Sequence, residues 1–135
     1  MRNRLKILLI CLVAAGAAFA APLAPVATSA GGVTVRANPG TLSGDAWEFE
    51  IVFDTHSQDL RDDVAKSASL VADGAASAPL EWRGDPEGGH HRKGVLRFKA
   101  PASRPAAIEL RLSRPGAPEA RVCRWKLECT RMRHI

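Results

Sequence analysis

The amino-acid sequence predicts an all-β protein, an immunoglobulin-like sandwich of two antiparallel sheets with about seven strands, preceded by a cleavable signal peptide. The clearest observation is segment 47–54, in which Trp, Phe, Ile and Phe alternate with Glu, Glu, Val and Asp. The same alternation recurs at 108–113 and 122–127. A period of two is typical of half-buried, mostly antiparallel strands. The prolines beyond residue 32 fall between or at the edges of such runs, as ladder positions require.

The first 20 residues predict a secretory signal peptide. Three cations, Arg2, Arg4 and Lys6, precede an apolar run over 7–15 and a small-residue stretch that ends at Ala20. We therefore expect cleavage after Ala20 and a protein that is periplasmic or secreted. The apolar run is shorter than the roughly 20 residues that span a bilayer, which disfavours an uncleaved anchor. No later segment is long and apolar enough to span a membrane.

The charge balance argues against a nucleic-acid partner. The chain has a net charge of +5, but three of its 19 Lys and Arg residues lie in the signal, which leaves 16 cations against 14 acids, or +2. No continuous basic stripe with interleaved aromatic residues remains. The end of the chain is locally basic and is predicted to be a solvated strand face with a frayed tail, or else a contact to an anionic membrane or polymer surface. Its cations are Arg121, Arg124, Lys126, Arg131 and Arg133.

After cleavage, three segments are predicted. Residues 21–32 are small, contain proline and carry no charge, so they are predicted to be a flexible leader. The sandwich domain covers 33–127, and a basic tail covers 128–135. Shorter strands are predicted at 33–36, 68–72, 79–82 and 94–98. The one predicted helix covers 58–64, capped by Thr55 or Ser57, and 62–70 could extend it.

The cysteines leave the disulfide state open. Cys11 is removed with the signal, so Cys123 and Cys129 remain in a compartment that permits disulfides. A straight strand would separate their Cα atoms by about 20 Å. Because a disulfide needs about 7 Å or less, an intramolecular bridge requires a turn between residues 126 and 128. Free thiols and intermolecular pairing are the alternatives.

Two loops carry three of the four histidines, at 54–60 and 82–94. Neutral imidazole suits copper or zinc, so a candidate metal site consists of His56, His90, His91 and Asp54. Asp85 and Glu87 are further possible oxygen ligands. The adjacent His90 and His91 would point to opposite faces of an extended strand, so only an irregular loop would let both converge.

The same loops allow three other interpretations. The histidines can simply hydrogen-bond backbone groups in a tight glycine-rich loop, with Trp82 covering the end of the core. The loops can form a recognition surface, because loops are where sandwich domains usually carry recognition, and envelope proteins are then the expected partners. Catalysis is not expected. Asp54, His56 and Ser57 supply the residue types of a triad, but neighbours on one short segment rarely reach the required geometry.

The two loop segments also carry a resemblance. Phe49 to Ser57, followed by Trp82 and by the stretch Gly88-Gly89-His90-His91-Arg92-Lys93-Gly94, resembles a group of small exported prokaryotic proteins without an assigned activity. The resemblance implies a lone sandwich domain behind a signal peptide or lipoprotein anchor, and it implies no ligand or functional residue. It ends near Trp125, where this chain continues with a basic tail that contains cysteine. We therefore expect an exported, non-catalytic binding or accessory module. A copper- or zinc-binding protein and a structural protein of the envelope are the alternatives.

Overall fold

The computed structural model describes residues 23–117 and 119–127. In this part of the chain there are nine strands and one short helix. In chain order they are β1 (Val26–Ala30), β2 (Val33–Pro39), β3 (Ala46–Thr55), α1 (Val64–Ser67), β4 (Ala68–Ala72), β5 (Ala75–Ser77), β6 (Glu81–Gly84), β7 (His91–Lys99), β8 (Ala107–Leu112) and β9 (Arg121–Lys126). None of the described helical residues forms a helix long and apolar enough to cross a membrane.

The strands form two antiparallel sheets that pack into a sandwich. One sheet has five strands in the order β1-β2-β3-β7-β6, and the other has four in the order β5-β4-β8-β9. Every pair of neighbouring strands is antiparallel. The prediction of an all-β, two-sheet antiparallel sandwich is confirmed.

The core lies between the inward faces of the two sheets. Alternate residues of β3 are buried, as the sequence predicts, and β7 supplies Leu96 and Phe98 beside them. The opposite sheet contributes Ile108, Leu110 and Leu112 from β8. Phe49 packs edge-on against Phe98 and also contacts the ring of Trp125, with ring centroids 5.8 and 5.7 Å apart. Each fully buried side chain of this size stabilises the fold by about 1.5–3 kcal/mol.

Two strands appear that the sequence did not predict. β1 lies within 21–32, so the expectation of a flexible leader is wrong for Val26–Ala30, which pairs along its whole length with β2. The residues of β1 are small, and Val26 is the one strongly apolar side chain among them. The sequence of β1 therefore lacks the hydrophobic alternation that would predict a strand. β5 is three exposed residues paired to β4. The predicted signal peptide, residues 21–22 and the basic tail 128–135 lie outside the described residues.

The predicted helix at 58–64 does not form. The hydroxyl of Thr55 accepts from the N–H groups of Ser57 and Gln58, both at 3.2 Å, but this turn leads into an irregular loop. The helix α1 begins only at Val64, after Asp63, whose carboxylate accepts from the N–H of Lys66 at 3.2 Å. Helix is therefore found inside the range 62–70 and is limited to one turn.

The inward face of β9 contains an arginine as well as apolar side chains. Cys123 and Trp125 are buried, and Arg121 is buried beside them with 9% of its surface exposed. Arg121 is thus not part of a solvated strand face, which corrects the prediction for this residue. Arg124 is exposed and forms an ion pair with Glu109 at 2.8 Å. Cys129, the candidate disulfide partner of Cys123, lies outside the described residues.

Candidate functional site

Four connections meet at one end of the sandwich, which we call the loop end. They are the β1–β2 turn, the loops 56–63 and 85–90, and the loop 113–120, of which 113–117 and 119–120 are described. The hydroxyl of Thr55 donates to the carbonyl of Gly32 in the turn at 2.8 Å, and the Gln58 amide donates to the carbonyl of Gly31. Arg114 reaches from the last loop to Asp62, with bonds of 2.8 and 3.1 Å. The loop 56–63 therefore contacts the other three connections.

Loops 56–63 and 85–90, which carry the predicted site, are joined by their backbones. The N–H of Leu60 donates to the carbonyl of Gly89 at 3.0 Å, and the N–H of Gly88 donates back to the carbonyl of Leu60 at 2.7 Å. The N–H of Thr55 donates to the carbonyl of His90 at 3.0 Å. Gly88 and Gly89 have φ angles of +109° and +77°, which a side chain would oppose. The two loops therefore lie at the same end of the sandwich.

A carboxylate adds to this junction. Asp59 accepts from the N–H of Gly89 at 2.7 Å and from the guanidinium of Arg61. The hydrogen bond from Arg61, followed by that from Gly89, lowers the pKa of Asp59 below its ordinary value. The ionised carboxylate is therefore the form that links the two loops.

The buried side chain of Arg92 also joins loops 56–63 and 85–90, from the core side. It occupies an inward position of β7 and is 3% exposed. Its guanidinium donates to the carbonyls of Leu60 at 3.2 Å, Asp62 at 2.8 Å and Asp85 at 3.4 Å. Among the described residues these acceptors are all neutral, and Nε has no partner. Because a buried guanidinium without its acceptors is costly, Arg92 fixes the course of both loops.

Trp82 covers Arg92. The Arg92 guanidinium lies over the indole ring, 5.7 Å from its centroid, and the indole N–H donates to the carbonyl of Asp85 at 3.2 Å. The ring fits here because Gly84 pairs with Gly94. A Cβ atom on Gly94 would lie 2.6 Å from both the Arg83 carbonyl oxygen and the Trp82 ring. The predicted role of Trp82, as a cover at the end of the core, agrees with this placement.

The structure brings together two of the four predicted metal ligands. Asp54 and His91 are partners in the β3–β7 register, and Nδ1 of His91 lies 2.5 Å from Oδ1 of Asp54. Both side chains are more than half exposed. His56 and His90 are also exposed on the two joined loops, and His90 accepts from the N–H of Thr55 through its backbone carbonyl. Within 23–117 and 119–127, no group of three or more His, Cys, Asp or Glu side chains is placed to hold a metal ion.

The remaining candidate residues have other contacts. The carboxylate of Asp85 accepts from the N–H of Lys93 at 2.9 Å, so it closes its own loop. The contact of Asp54 is with His91 and not with His56, which separates the residue types of the supposed triad. Sequence reasoning missed the buried roles of Arg92 and Arg121. Their signal was present, because both share the register of the apolar positions in β7 and β9.

The chain matches no protein family, no curated protein sequence and no solved structure.

Proposed function

We propose that this chain is an exported, non-catalytic binding module, and that its binding surface is formed by loops 56–63 and 85–90. We call these residues the loop surface. The observation that carries the proposal is the joining of the two loops by backbone bonds and by buried Arg92. Such a framework reduces the entropy that the loops lose when they bind.

The side chains that the framework leaves exposed suit a polar partner. Ser57, Gln58, Glu87 and His90 are all exposed, with His56 beside them. They offer hydrogen-bond donors and acceptors of mixed charge rather than an apolar patch, and the one exposed large hydrophobic residue among the described residues, Leu80, lies outside the loop surface. A polar protein surface in the cell envelope fits this chemistry and the address that the signal peptide predicts.

Site-specific photocrosslinking in the producing cells tests the proposal. A photoreactive phenylalanine analogue replaces His90 in one variant of the full chain and Ala102 in another. Ala102 is exposed in the connection between β7 and β8, at the end of the sandwich opposite the loop surface. We expect a discrete crosslinked protein from position 90 and none from position 102. Equal crosslinking from both positions, or none from either, would contradict the proposal.

The proposed export of the protein has a separate test. Mass spectrometry of the protein from the periplasmic fraction and the medium should give a mature chain that starts at Ala21. A chain that retains Met1 and stays in the cytoplasm would refute export.

We propose copper or zinc binding as the second candidate function, because Asp54 and His91 already lie side by side and exposed. The two residues fall short of the three or four protein ligands usual for zinc, so His56 or His90 would have to move toward them. Titration of the purified protein with Cu²⁺ and Zn²⁺ should give a saturable site that is lost when His56, His90 and His91 are all replaced by alanine. Unchanged affinity in that variant would exclude this function.

A further inference from the structure

A cavity of about 480 Å³ opens at the loop end, on residues that the predicted metal site does not use. It lies between the β1–β2 turn, Gln58 and the loop 113–120. Arg114 and Arg121 both line it. This volume is within the range of small-molecule sites.

Arg121 brings a buried positive charge to the wall of the cavity. Its Nη1 donates to the carbonyls of Thr28 at 3.1 Å and Val33 at 2.6 Å, and its Nη2 donates to the carbonyl of Ala30. These three acceptors are neutral, and the described residues offer Arg121 no carboxylate as an ion-pair partner. A guanidinium has five N–H groups, so the three bonds leave two for another acceptor.

Arg114, the other arginine in the cavity wall, differs from Arg121 because an acidic side chain neutralises its charge. Arg114 forms a two-bond ion pair with Asp62, and both side chains are buried, at 8% and 9% exposure. The described part of the chain gives Arg121 no such partner, and burial, together with the neighbouring charge of Arg114, lowers its pKa. Glu119 lines the cavity as well, but it is exposed and forms no ion pair with Arg121 among the described residues. Among residues 23–117 and 119–127, no acidic side chain therefore compensates the buried charge of Arg121.

The rest of the wall is mostly apolar and small. Gly31, Pro115, Ala117 and Ala120 contribute carbon atoms and leave room beside the guanidinium. Thr28 also lines the cavity, and its buried hydroxyl has no hydrogen-bond partner in the part of the chain that the structure describes. Buried polar groups without a protein partner usually have one from solvent or a ligand.

We propose that this cavity binds a small organic carboxylate, whose carboxyl group pairs with Arg121 and whose apolar body lies against Pro115 and Ala117. A planar carboxylate matches the fork of N–H groups on a guanidinium, and one negative charge balances one unpaired cation. The carboxylate can belong to a free acid or to the end of a peptide chain. Either source presents the same group to Arg121.

NMR titration of the purified protein tests this proposal, with benzoate as the probe and neutral benzamide as its matched control. We expect benzoate to shift the amide signals of Gly31 and Gly116 saturably and to leave that of Gly44, outside the cavity, unchanged. Benzamide should bind at least about ten-fold more weakly, because it lacks the charge. Equal responses to the two compounds, or no saturable shift with benzoate, would overturn the proposal.

Two variants separate binding from folding. Arg121→Lys keeps the charge but not the fork, and should weaken benzoate binding at least about ten-fold. Arg121 also holds β1, so a second variant is needed that leaves this contact intact. Ala117 is exposed and lines the cavity, so Ala117→Trp should fill the cavity without disturbing Arg121. It should abolish binding in a folded protein. Undiminished binding in Ala117→Trp would overturn the proposal.

Two further titrations distinguish the sources and the class of ligand. One titration uses acetyl-Ala-Ala with a free carboxylate, and its C-terminal amide is the control. If the free acid binds more tightly than both benzoate and the amide, the end of a peptide chain is the source of the carboxylate. Tighter binding of benzoate would favour a free acid. Inorganic phosphate binding as tightly as either would contradict a ligand with an apolar body. This proposal is independent of the proposed function as a binding module. Crosslinking at position 90 tests the loop surface, benzoate titration tests the cavity, and either experiment can succeed when the other fails.

Discussion

Arg92 and Arg121 occupy corresponding places in the two sheets. Each is the first inward-facing residue of its strand at the loop end, Arg92 in β7 and Arg121 in β9. Each is buried and donates to three backbone carbonyls. Arg92 holds the loops 56–63 and 85–90, and Arg121 holds the β1–β2 corner.

Replacement of Arg92 by methionine should destabilise the fold. The side chain keeps most of its apolar length, but three carbonyls lose a charged donor. We expect the free energy of unfolding to fall by about 2–4 kcal/mol in urea titrations. Arg83→Met is the control, because Arg83 is exposed and pairs with Glu81 at the surface, where ion pairs contribute little. Similar losses in the two variants would contradict the role of Arg92.

Gly94→Ala should also destabilise the protein. The added Cβ would lie 2.6 Å from the carbonyl oxygen of Arg83 and from the ring of Trp82, and backbone cannot move aside cheaply. The expected loss in the free energy of unfolding is about 1–3 kcal/mol. Gly40→Ala is the matched control, since its Cβ would come no closer than 3.3 Å to another atom, the Glu48 carbonyl oxygen. An equal effect at both positions would mean that the contact with Trp82 is unimportant.

The junction of the loops should loosen in acid. The pKa of Asp59 is lowered in the folded protein, so the contribution of its ionised form is complete above the ordinary aspartate pKa of about 3.9. That contribution is lost as the pH falls through the lower folded value. The amide signal of Gly89 should therefore titrate with a midpoint below about 3.9, and Asp59→Asn should remove this transition. A midpoint at or above the ordinary value would show that Arg61 and Gly89 do not favour the carboxylate.

Cys123 should resist thiol reagents while the protein is folded. Its side chain is fully buried, and burial raises the pKa of its thiol, so little thiolate exists to react. The measurement uses a chain that starts at Ala21 and carries Cys129→Ser, so that Cys123 is its one cysteine. We expect no labelling of the native protein and complete labelling in concentrated urea. Rapid native labelling would mean that β9 opens readily.

The sheets could be predicted because their central strands obey a simple alternation. In β3 and β8 nearly every second residue is large and apolar, and such patterns have one stable placement in a sandwich. β1 escaped prediction because Ala, Thr and Ser contribute too little apolar area to mark a face. Its position depends on distant partners, the strand β2 and the guanidinium of Arg121.

The position of the two loops could be predicted in part. The sequence pattern identified both loops, one after β3 and one before β7. The two loops lie together because β3 and β7 are paired antiparallel. The contact between Asp54 and His91 depends on the register of β3 and β7, which pairs those two residues and which sequence patterns leave undetermined. The arginines were missed because a charged residue in a basic segment is usually solvated, whereas here backbone carbonyls replace water.

The indole N–H of Trp125 donates to the carbonyl of Ala24 at 2.7 Å, so the start of β1 and the end of β9 lie together. Both strands have their other ends at the β1–β2 turn and at Arg121. The described part of the chain therefore begins and ends at the end of the sandwich opposite the loop end. A surface that held the protein at residues 23–25 or 125–127 would leave the histidine-bearing loops facing away from it.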